Sequence, residues 1–341
     1  MEYQKPHLPH DRQLELLSSR GLKYSDRAGA LHTLRTIGYY RLSAYTHVMR
    51  RRASDDGDGE SRDARLDEFV DGATLEAAVD LHNFDRLLRR TLLDGLAQVE
   101  IGLRARVAYE LGRTDPFGHT ARASLDDRAC SKLTKDKDNR EVAQFDRWLA
   151  SYRRNVSDAK HETYVRHFLG KYEGELPIWA AVELLTFGNL LWLLQLLNSR
   201  DARRISQPLG FTDPTLLHRY LKALNVLRNH CAHNARVWNR KTTYPPAKPP
   251  VRHTPESIGH LRTCDRDRLY PLAALIAHLT TVMDETTNWP REFITVMRKF
   301  PQPLEMTAVT TMGFPDSWTN QPLWQHNPPP RATPRRDRLG D

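Results

Sequence analysis

The chain has 341 residues, of which 39% are hydrophobic, and it carries a formal net charge of +9 at pH 7. A chain of this size can bury a substantial core, as one large domain or two modest ones. Its most apolar run, LLWLLQLL at 190–197, is far shorter than the roughly 20 residues of a membrane-spanning helix, and the first residues lack the apolar segment of a signal peptide. These features argue against a membrane protein, and we expect a cytoplasmic one.

The cysteines and the excess of positive charge narrow the class further. Cys130, Cys231 and Cys264 are far apart and form no C-x-x-C pair, which excludes a disulfide framework and a zinc ribbon. A sequence pI near 9.5 favours association with polyanions, because basic side chains release counterions from a phosphate backbone. Nucleic acid is therefore the first partner to consider, and a solvated basic surface without a partner is the alternative.

Apolar residues recur mainly at spacings of three and four, and alternating β-branched runs are scarce, so the sequence predicts an all-α fold. The first helical block covers about 11–50. The segment ASDDGDGESRDA at 53–64 is rich in Gly, Ser and Asp, which is typical of a flexible loop. A long amphipathic stretch then runs from Thr74 to Leu111 and predicts one long helix.

Beyond the long helix, a polar and charge-dense segment near 113–140 is interpreted as an insertion. Residues 176–197 are nearly all apolar and predict one central, buried helix. Pro214 sits at a natural first helical position, and the helix that it opens is predicted to run to about Asn239. From Pro301 the chain is rich in Pro and Arg, which predicts a disordered basic tail. The predicted regions are an N-terminal helical region of 1–65, a helical domain of 66–300 and a tail of 301–341.

The segment LRNHCAHNARVWNR at 227–240 places a charged side chain on an apolar face. On a wheel of 100° per residue that starts at Leu217, Arg228 falls at about 20°, inside the apolar stripe. A buried guanidinium is costly unless a carboxylate, backbone carbonyls or an anionic ligand binds it, so Arg228 needs a partner. His233 falls at about 160°, on the side of Asn229. Either the helix bends, or the arginine reaches around it, or the two side chains meet across a two-fold interface.

A second charge lies on the apolar stripe of the 74–111 helix. Glu100 falls about 40° from the centre of that stripe, and Arg104 is its i+4 neighbour. Glu100 is therefore a candidate to orient Arg104 or Arg228 in a partly dry cleft, since Arg forms bidentate bonds to carboxylates. The alternative is a plain intrahelical ion pair at the rim, and Asp85 also falls on the stripe without an evident role.

An arginine and a histidine beside an amide, without an acidic cluster for magnesium, suit metal-independent RNA cleavage in which the 2′-hydroxyl of the substrate is the nucleophile. Imidazole groups transfer protons near neutral pH, so His233 is the candidate acid or base. Arg228 stays protonated and can hold two phosphoryl oxygens in the transition state, while Asn229 can orient the imidazole or the phosphate. An R-x4-H spacing is common by chance, however, and does not identify a nuclease by itself.

Several blocks of the sequence resemble one protein family. LRNHCAHNARVWNR resembles the signature of the bacterial Abi-like (AbiD/AbiF type) abortive-infection proteins, in which an R-N-x-x-A-H core is followed by R-x-W-N. Asn234 stands where a second His is expected, and the segments 113–140 and 301–341 are not covered. The other similar blocks, in the family's order, are LRTIGYYRLSAY at 34–45, QVEIGLRARVAYEL at 98–111 and PIWAAVELLTFGNL at 177–190.

The resemblance implies an HEPN-type helical bundle with additional N-terminal helices, a group that includes many ribonucleases with an R-x4–6-H motif and composite sites formed by dimerisation. It implies a metal-independent endoribonuclease without a cofactor, which leaves 2′,3′-cyclic phosphate ends and halts growth of phage-infected cells. The implied partners are RNA, a second copy of the chain and an antitoxin protein or RNA. The implied residues are the catalytic pair Arg228 and His233, the supporting residues Asn229, Glu100 and Arg104, and the further candidate RNA contacts His230, Arg236 and Arg240.

Other interpretations of the same residues stay open. The main alternative function is a non-catalytic RNA-binding protein that holds a structured RNA for a defence system, and a third is a protein-binding module with a vestigial site. A zinc site of His230, Cys231 and His233 is disfavoured, because Cys231 faces the apolar stripe. Trp238 and Arg236 could stack on bases, although the position of Trp238 on the core face favours packing.

Overall fold

A computed structural model of the chain describes residues 7–53, 65–135, 138–172 and 174–329. Helices hold most of these residues, which confirms the all-α prediction. Two antiparallel hairpins, which the sequence did not predict, join β1 (Arg50–Arg52) to β2 (Arg65–Phe69) and β3 (Leu133–Lys135) to β4 (Glu141–Ala143). The α-helices of these ranges are α1 (His10–Ser19), α2 (Arg27–Thr36), α3 (Tyr39–Thr46), α4 (Leu75–Gly112), α5 (Asp127–Ser131), α6 (Gln144–Asp158), α7 (Thr163–Lys171), α8 (Ile178–Ala181), α9 (Phe187–Leu196), α10 (Ser199–Ser206), α11 (Pro214–Ala232), α12 (Leu269–Met283), α13 (Trp289–Met297) and α14 (Ala308–Met312).

The long helix α4 runs through the centre of the structure. Its start is capped by Thr74, whose hydroxyl accepts a hydrogen bond from the backbone N–H of Ala77 at 3.1 Å. At 1.5 Å per residue the helix is about 57 Å long, and it contacts α3, α8, α10, α11, α12 and α13. The predicted helix from Thr74 to Leu111 is confirmed to within one residue at each end.

The helix buried most completely is α12, which packs along α4. Every residue from Leu269 to Thr280 is buried. Helices α12 and α13 approach α4 closely at Gly95, which has no side chain. A Cβ at this position would lie 2.4 Å from the ring of Trp289 and 2.6 Å from Ile276. The burial predicted for 176–197 is confirmed, because most of its apolar side chains also lie in the core, but the prediction of one helix there is wrong.

That apolar segment is also broken into two helices. The chain forms α8, a 3-10 turn at Val182–Leu184, an extended residue at Leu185 and then α9. The break occurs because Thr186 starts a new helix, where its hydroxyl accepts a bond from the backbone N–H of Asn189 at 3.2 Å. Apolar composition alone gave no signal of this cap.

The C-terminal segment packs on the core as far as residue 329. Phe293 of α13 stacks on Trp324 at a centroid distance of 5.4 Å, and Phe314 contacts Trp318 at 5.0 Å. The prediction of a disordered tail is wrong for 301–329, because these aromatic side chains supply enough apolar surface to anchor the backbone. The remainder of that predicted tail, 330–341, lies outside the described residues, as does most of the loop predicted at 53–64.

The described part of the polar segment near 113–140 folds against α6. His119 is 1% exposed and lies edge-on to Trp148 and Tyr152, at centroid distances of 6.4 and 5.2 Å. Cys130 of α5 is also buried. Across the described ranges, every helix is too short or too polar to cross a lipid bilayer.

Candidate functional site

The signature segment lies on the second half of α11 and the loop that follows it. Pro214 occupies the first helical position, and Asp213 caps the start by accepting a bond from Thr215 N at 2.8 Å. The start of this helix is therefore as predicted. Its end is not, because α11 stops at Ala232, seven residues before Asn239.

The helix ends where it does because the backbone closes a Schellman motif. The N–H of Asn234 donates to Cys231 O at 3.1 Å, and the N–H of Ala235 donates to His230 O at 2.9 Å. Asn234 adopts a left-handed conformation with φ of 55°. Asparagine tolerates this region better than most residues, which accounts for an Asn at the position where a second His was expected.

Arg228 lies beside the carboxylate that the sequence proposed as its partner. Its side chain is 39% exposed, and its Nε is 3.9 Å from Oε2 of Glu100. The other oxygen of Glu100 accepts a 2.7 Å bond from Arg104, which also donates to Leu185 O at 2.7 Å. Glu100 is only 7% exposed, so this is a buried carboxylate shared by two arginines, whereas the alternative interpretation placed a simple pair at the rim.

His233 is the residue that caps the end of α11, and its side chain is exposed. Its N–H donates to Asn229 O at 2.9 Å, so the helical path continues as far as this residue. Five residues of an α-helix turn through about 140°, and the side chains of Arg228 and His233 therefore leave the helix on different sides. The hydrogen-bonded path of the helix is therefore unbroken between Asn229 and His233. Asn229 is also exposed.

Asp85 of α4 fixes the segment that follows His233. One of its oxygens accepts bonds from Val237 N at 3.0 Å and Trp238 N at 2.7 Å. The other accepts from the Tyr45 hydroxyl at 2.7 Å and from Arg89. Burial, reinforced by the negative charge of Asp85, raises the pKa of Tyr45 well above its usual range. Asp85, which had no evident role in the sequence analysis, thus anchors the R-x-W-N half of the signature.

Helix α3 holds the same loop from the other side. Arg41 donates to Asn234 O at 3.0 Å and to the imidazole of His82 at 3.3 Å. Arg236 donates in the opposite direction, to Ala44 O, and burial lowers its pKa. The sequence analysis did not predict these contacts of Arg41 and Arg236. Its only signal was that the block at 34–45 resembles a family block to which no function was assigned.

Trp238 is fully buried and stacks on Tyr45, with centroids 6.1 Å apart and an angle of 16° between the rings. Its packing role is therefore the one that the structure supports. His230 and Arg240, two of the candidate RNA contacts, lie on the wall of a small cavity of about 20 Å³. Burial and the nearby charge of Arg240 lower the pKa of His230.

The zinc alternative finds little support in the geometry. Cys231 is 2% exposed and packs in the core, where burial raises the pKa of its thiol to about 12. Within the described ranges, His, Cys, Asp and Glu side chains form no group of three that is placed to hold a metal ion.

The sequence of the chain matches one known protein family. No curated protein and no solved structure matches the chain. A family model described as Abi-like protein matches residues 32–239, well over half of the 341 residues. The match covers α3, α4 and α11, and with them the two arginines beside Glu100, the exposed His233 and the Asp85 anchor. The chain therefore belongs to the Abi-like protein family.

Proposed function

We propose that this Abi-like protein is a metal-independent endoribonuclease of a bacterial abortive-infection system, of the HEPN group and the AbiD/AbiF type. The observation that carries the proposal is the combination at the end of α11: the Nε of a partly exposed Arg228 lies 3.9 Å from the buried Glu100, and an exposed His233 follows it. Both lie in the signature of the matched family region.

Arg228 has the properties of a phosphate ligand. Its Nε faces Glu100, whereas no hydrogen bond in the described parts of the chain engages its two terminal nitrogens. Glu100 is shared with Arg104, so the three side chains together keep one excess positive charge. A guanidinium held in this way is ready to bind two phosphoryl oxygens and to stabilise the charge that develops on them.

The reaction follows from these groups. The imidazole of His233 takes the proton of a ribose 2′-hydroxyl, and the resulting oxygen attacks the adjacent phosphorus. The P–O5′ bond breaks, and the leaving 5′-oxygen takes up a proton from a protonated imidazole or from water. The products are a 2′,3′-cyclic phosphate and a 5′-hydroxyl end, and no metal or cofactor takes part.

The active unit of this proposal is a homodimer. Arg228 and His233 leave α11 about 140° apart, and both lie at the surface of a single chain. A two-fold pairing of the ends of two α11 helices brings the arginine of one copy to the histidine of the other and closes a groove around the phosphodiester.

The test is cleavage of a labelled single-stranded RNA in EDTA by the wild type, Arg228→Ala and His233→Ala. Each substitution is expected to lower kcat/KM by a factor of about 10² to 10⁴, since each removes transition-state stabilisation or proton transfer. Arg219→Ala changes an exposed arginine of the same helix and is the matched control, with unchanged cleavage.

The products and the growth of the cells complete this test. Wild-type products should carry 2′,3′-cyclic phosphate ends, and expression of the wild type but not of Arg228→Ala should arrest bacterial growth and degrade RNA. Identical arrest by both proteins refutes the nuclease. RNA binding without cleavage, unchanged in His233→Ala, would instead identify the alternative, a protein that holds a structured RNA.

A further inference from the structure

A cavity of about 790 Å³ lies beside the loop that follows α11, because Arg236, Asn239 and Lys241 are among its lining residues. Its walls come from the β1–β2 hairpin, the residues after the signature tryptophan, the residue before α12 and the segment that leads into α14. We name it the basic cavity, because six of its lining side chains carry a fixed positive charge: Arg50, Arg52, Arg65, Arg236, Lys241 and Arg268.

The described residues that line the basic cavity are rich in positive charge. No carboxylate is among its lining residues in the described part of the chain. Asp67 approaches Arg50 from outside at 3.0 Å, and Asp265 approaches Arg268 at 3.7 Å. Six cationic side chains around one cavity attract and concentrate anions.

Several of these cations are held in place by the protein. Arg65 donates to Val48 O at 2.9 Å and to Arg50 O at 2.7 Å, and Arg268 donates to the side chain of Asn239 at 3.0 Å.

The size and the walls of the cavity indicate the class of ligand. Ligand pockets commonly measure about 300–1,000 Å³, and this cavity falls within that range. Cations that converge on one volume suit phosphoryl groups that are linked to one another, whereas the evenly spaced phosphates of an RNA backbone need a groove that follows the strand. Apolar side chains cover part of the wall and are suited to a sugar or a base: Val48, Val70, Leu304 and Met306.

We infer that the basic cavity binds a small ligand with several linked phosphoryl groups, either a nucleoside polyphosphate or an inorganic polyphosphate. This inference goes beyond the proposed cleavage of RNA and does not depend on it. The ligand would lie close to the candidate active site, because Arg236 and Asn239 line the cavity and belong to the signature that also contains His233.

The test measures binding of ATP, tripolyphosphate, adenosine and a short single-stranded RNA to the full chain by calorimetry. The variant is the double substitution Arg52→Glu and Lys241→Glu, whose side chains line the cavity and are exposed. The control is Arg203→Glu with Arg219→Glu, which makes the same change of charge at two exposed sites elsewhere on the surface. Circular dichroism verifies that both proteins are folded.

We expect saturable binding of ATP or tripolyphosphate at one site per chain, no binding of adenosine, and an affinity that falls at least about tenfold in the cavity variant but not in the control. Tighter binding of ATP than of tripolyphosphate assigns a nucleotide, and equal binding assigns a polyphosphate. Absence of saturable binding by both, equal loss in the control, or binding of the RNA alone would overturn the inference. None of these results depends on cleavage of RNA. The inference about the basic cavity can therefore hold even if the proposed nuclease function fails.

Discussion

Asp85 is the residue on which the geometry of the loop after His233 most depends. It is fully buried and receives four donors, from Tyr45, Arg89 and the backbone at 237 and 238. A buried carboxylate is tolerated because each lone-pair direction finds a donor, and the loop is fixed for the same reason. Removal of the negative charge leaves Arg89 buried without its partner.

Asp85→Asn is therefore expected to lower the free energy of unfolding by about 3–5 kcal/mol, the usual loss when one member of a buried ion pair is removed. Chemical denaturation measures the change. Asp80→Asn makes the same substitution at an exposed position of the same helix and is expected to change stability by no more than about 0.5 kcal/mol. Equal effects of the two substitutions would refute the anchoring role of Asp85.

His119 makes the stability of the fold depend on pH. Burial lowers its pKa to about 4, whereas an unfolded histidine has a pKa near 6.5. Between these values the unfolded chain binds more protons than the folded chain, so the contribution of His119 to stability is present above pH 6.5 and is lost as the pH falls toward 4.

From this shift the wild type is expected to lose about 2 kcal/mol of unfolding free energy between pH 7 and pH 5 through His119 alone. His119→Phe keeps an aromatic ring against Trp148 and Tyr152 and removes the titration. Urea denaturation at the two pH values should show a smaller loss in this variant by about that amount. An equal loss of unfolding free energy between the two pH values in both proteins would show that His119 does not titrate as its burial requires.

At the scale of the elements, the starts of helices were predictable and their ends were not. Thr74 and the Asp213–Pro214 pair are local signals, and both mark the helix starts that the sequence predicted. The break before Thr186 and the end of α11 depend on one polar side chain or one left-handed residue inside a pattern that otherwise reads as helix. The short hairpins had no alternating pattern long enough to recognise.

Asn234 sets the position of His233, because the Schellman motif closes around it. Asn234→Val places a β-branched residue in the left-handed region and is expected to cost about 1–2 kcal/mol of stability. If the nuclease proposal holds, the same variant should lose RNA cleavage, since the imidazole is displaced. Asn234→Gly is the control and should keep both, because glycine adopts this conformation without strain. A valine variant that matches the glycine variant in stability and activity would contradict this role of the turn.

At the scale of the whole molecule, the sequence predicted the helical class and the pairing of Glu100 with arginine. It did not predict the contacts that join distant parts of the chain. The partner of Arg228 could be proposed because a charge on an apolar stripe needs one, and Glu100 was the charge on the neighbouring stripe. The anchoring by Tyr45 and Asp85 could not be proposed, since its hydrogen bonds join residues 40, 152 and 153 positions apart. The packing of 301–329 was missed because proline content concealed the anchoring aromatic residues. The boundaries drawn at 65 and 300 stay predictions.

The central claim is that Arg228 of one copy and His233 of another act on the same phosphodiester. The most direct measurement is RNA cleavage in EDTA by mixed dimers of Arg228→Ala and His233→Ala, co-expressed with different tags and purified through both. We predict that each variant alone is inactive and that the mixed dimer regains about half of the wild-type activity, because one of its two sites is intact. Cleavage by either variant alone at the wild-type rate, or a mixed dimer as inactive as its parents, would contradict the account.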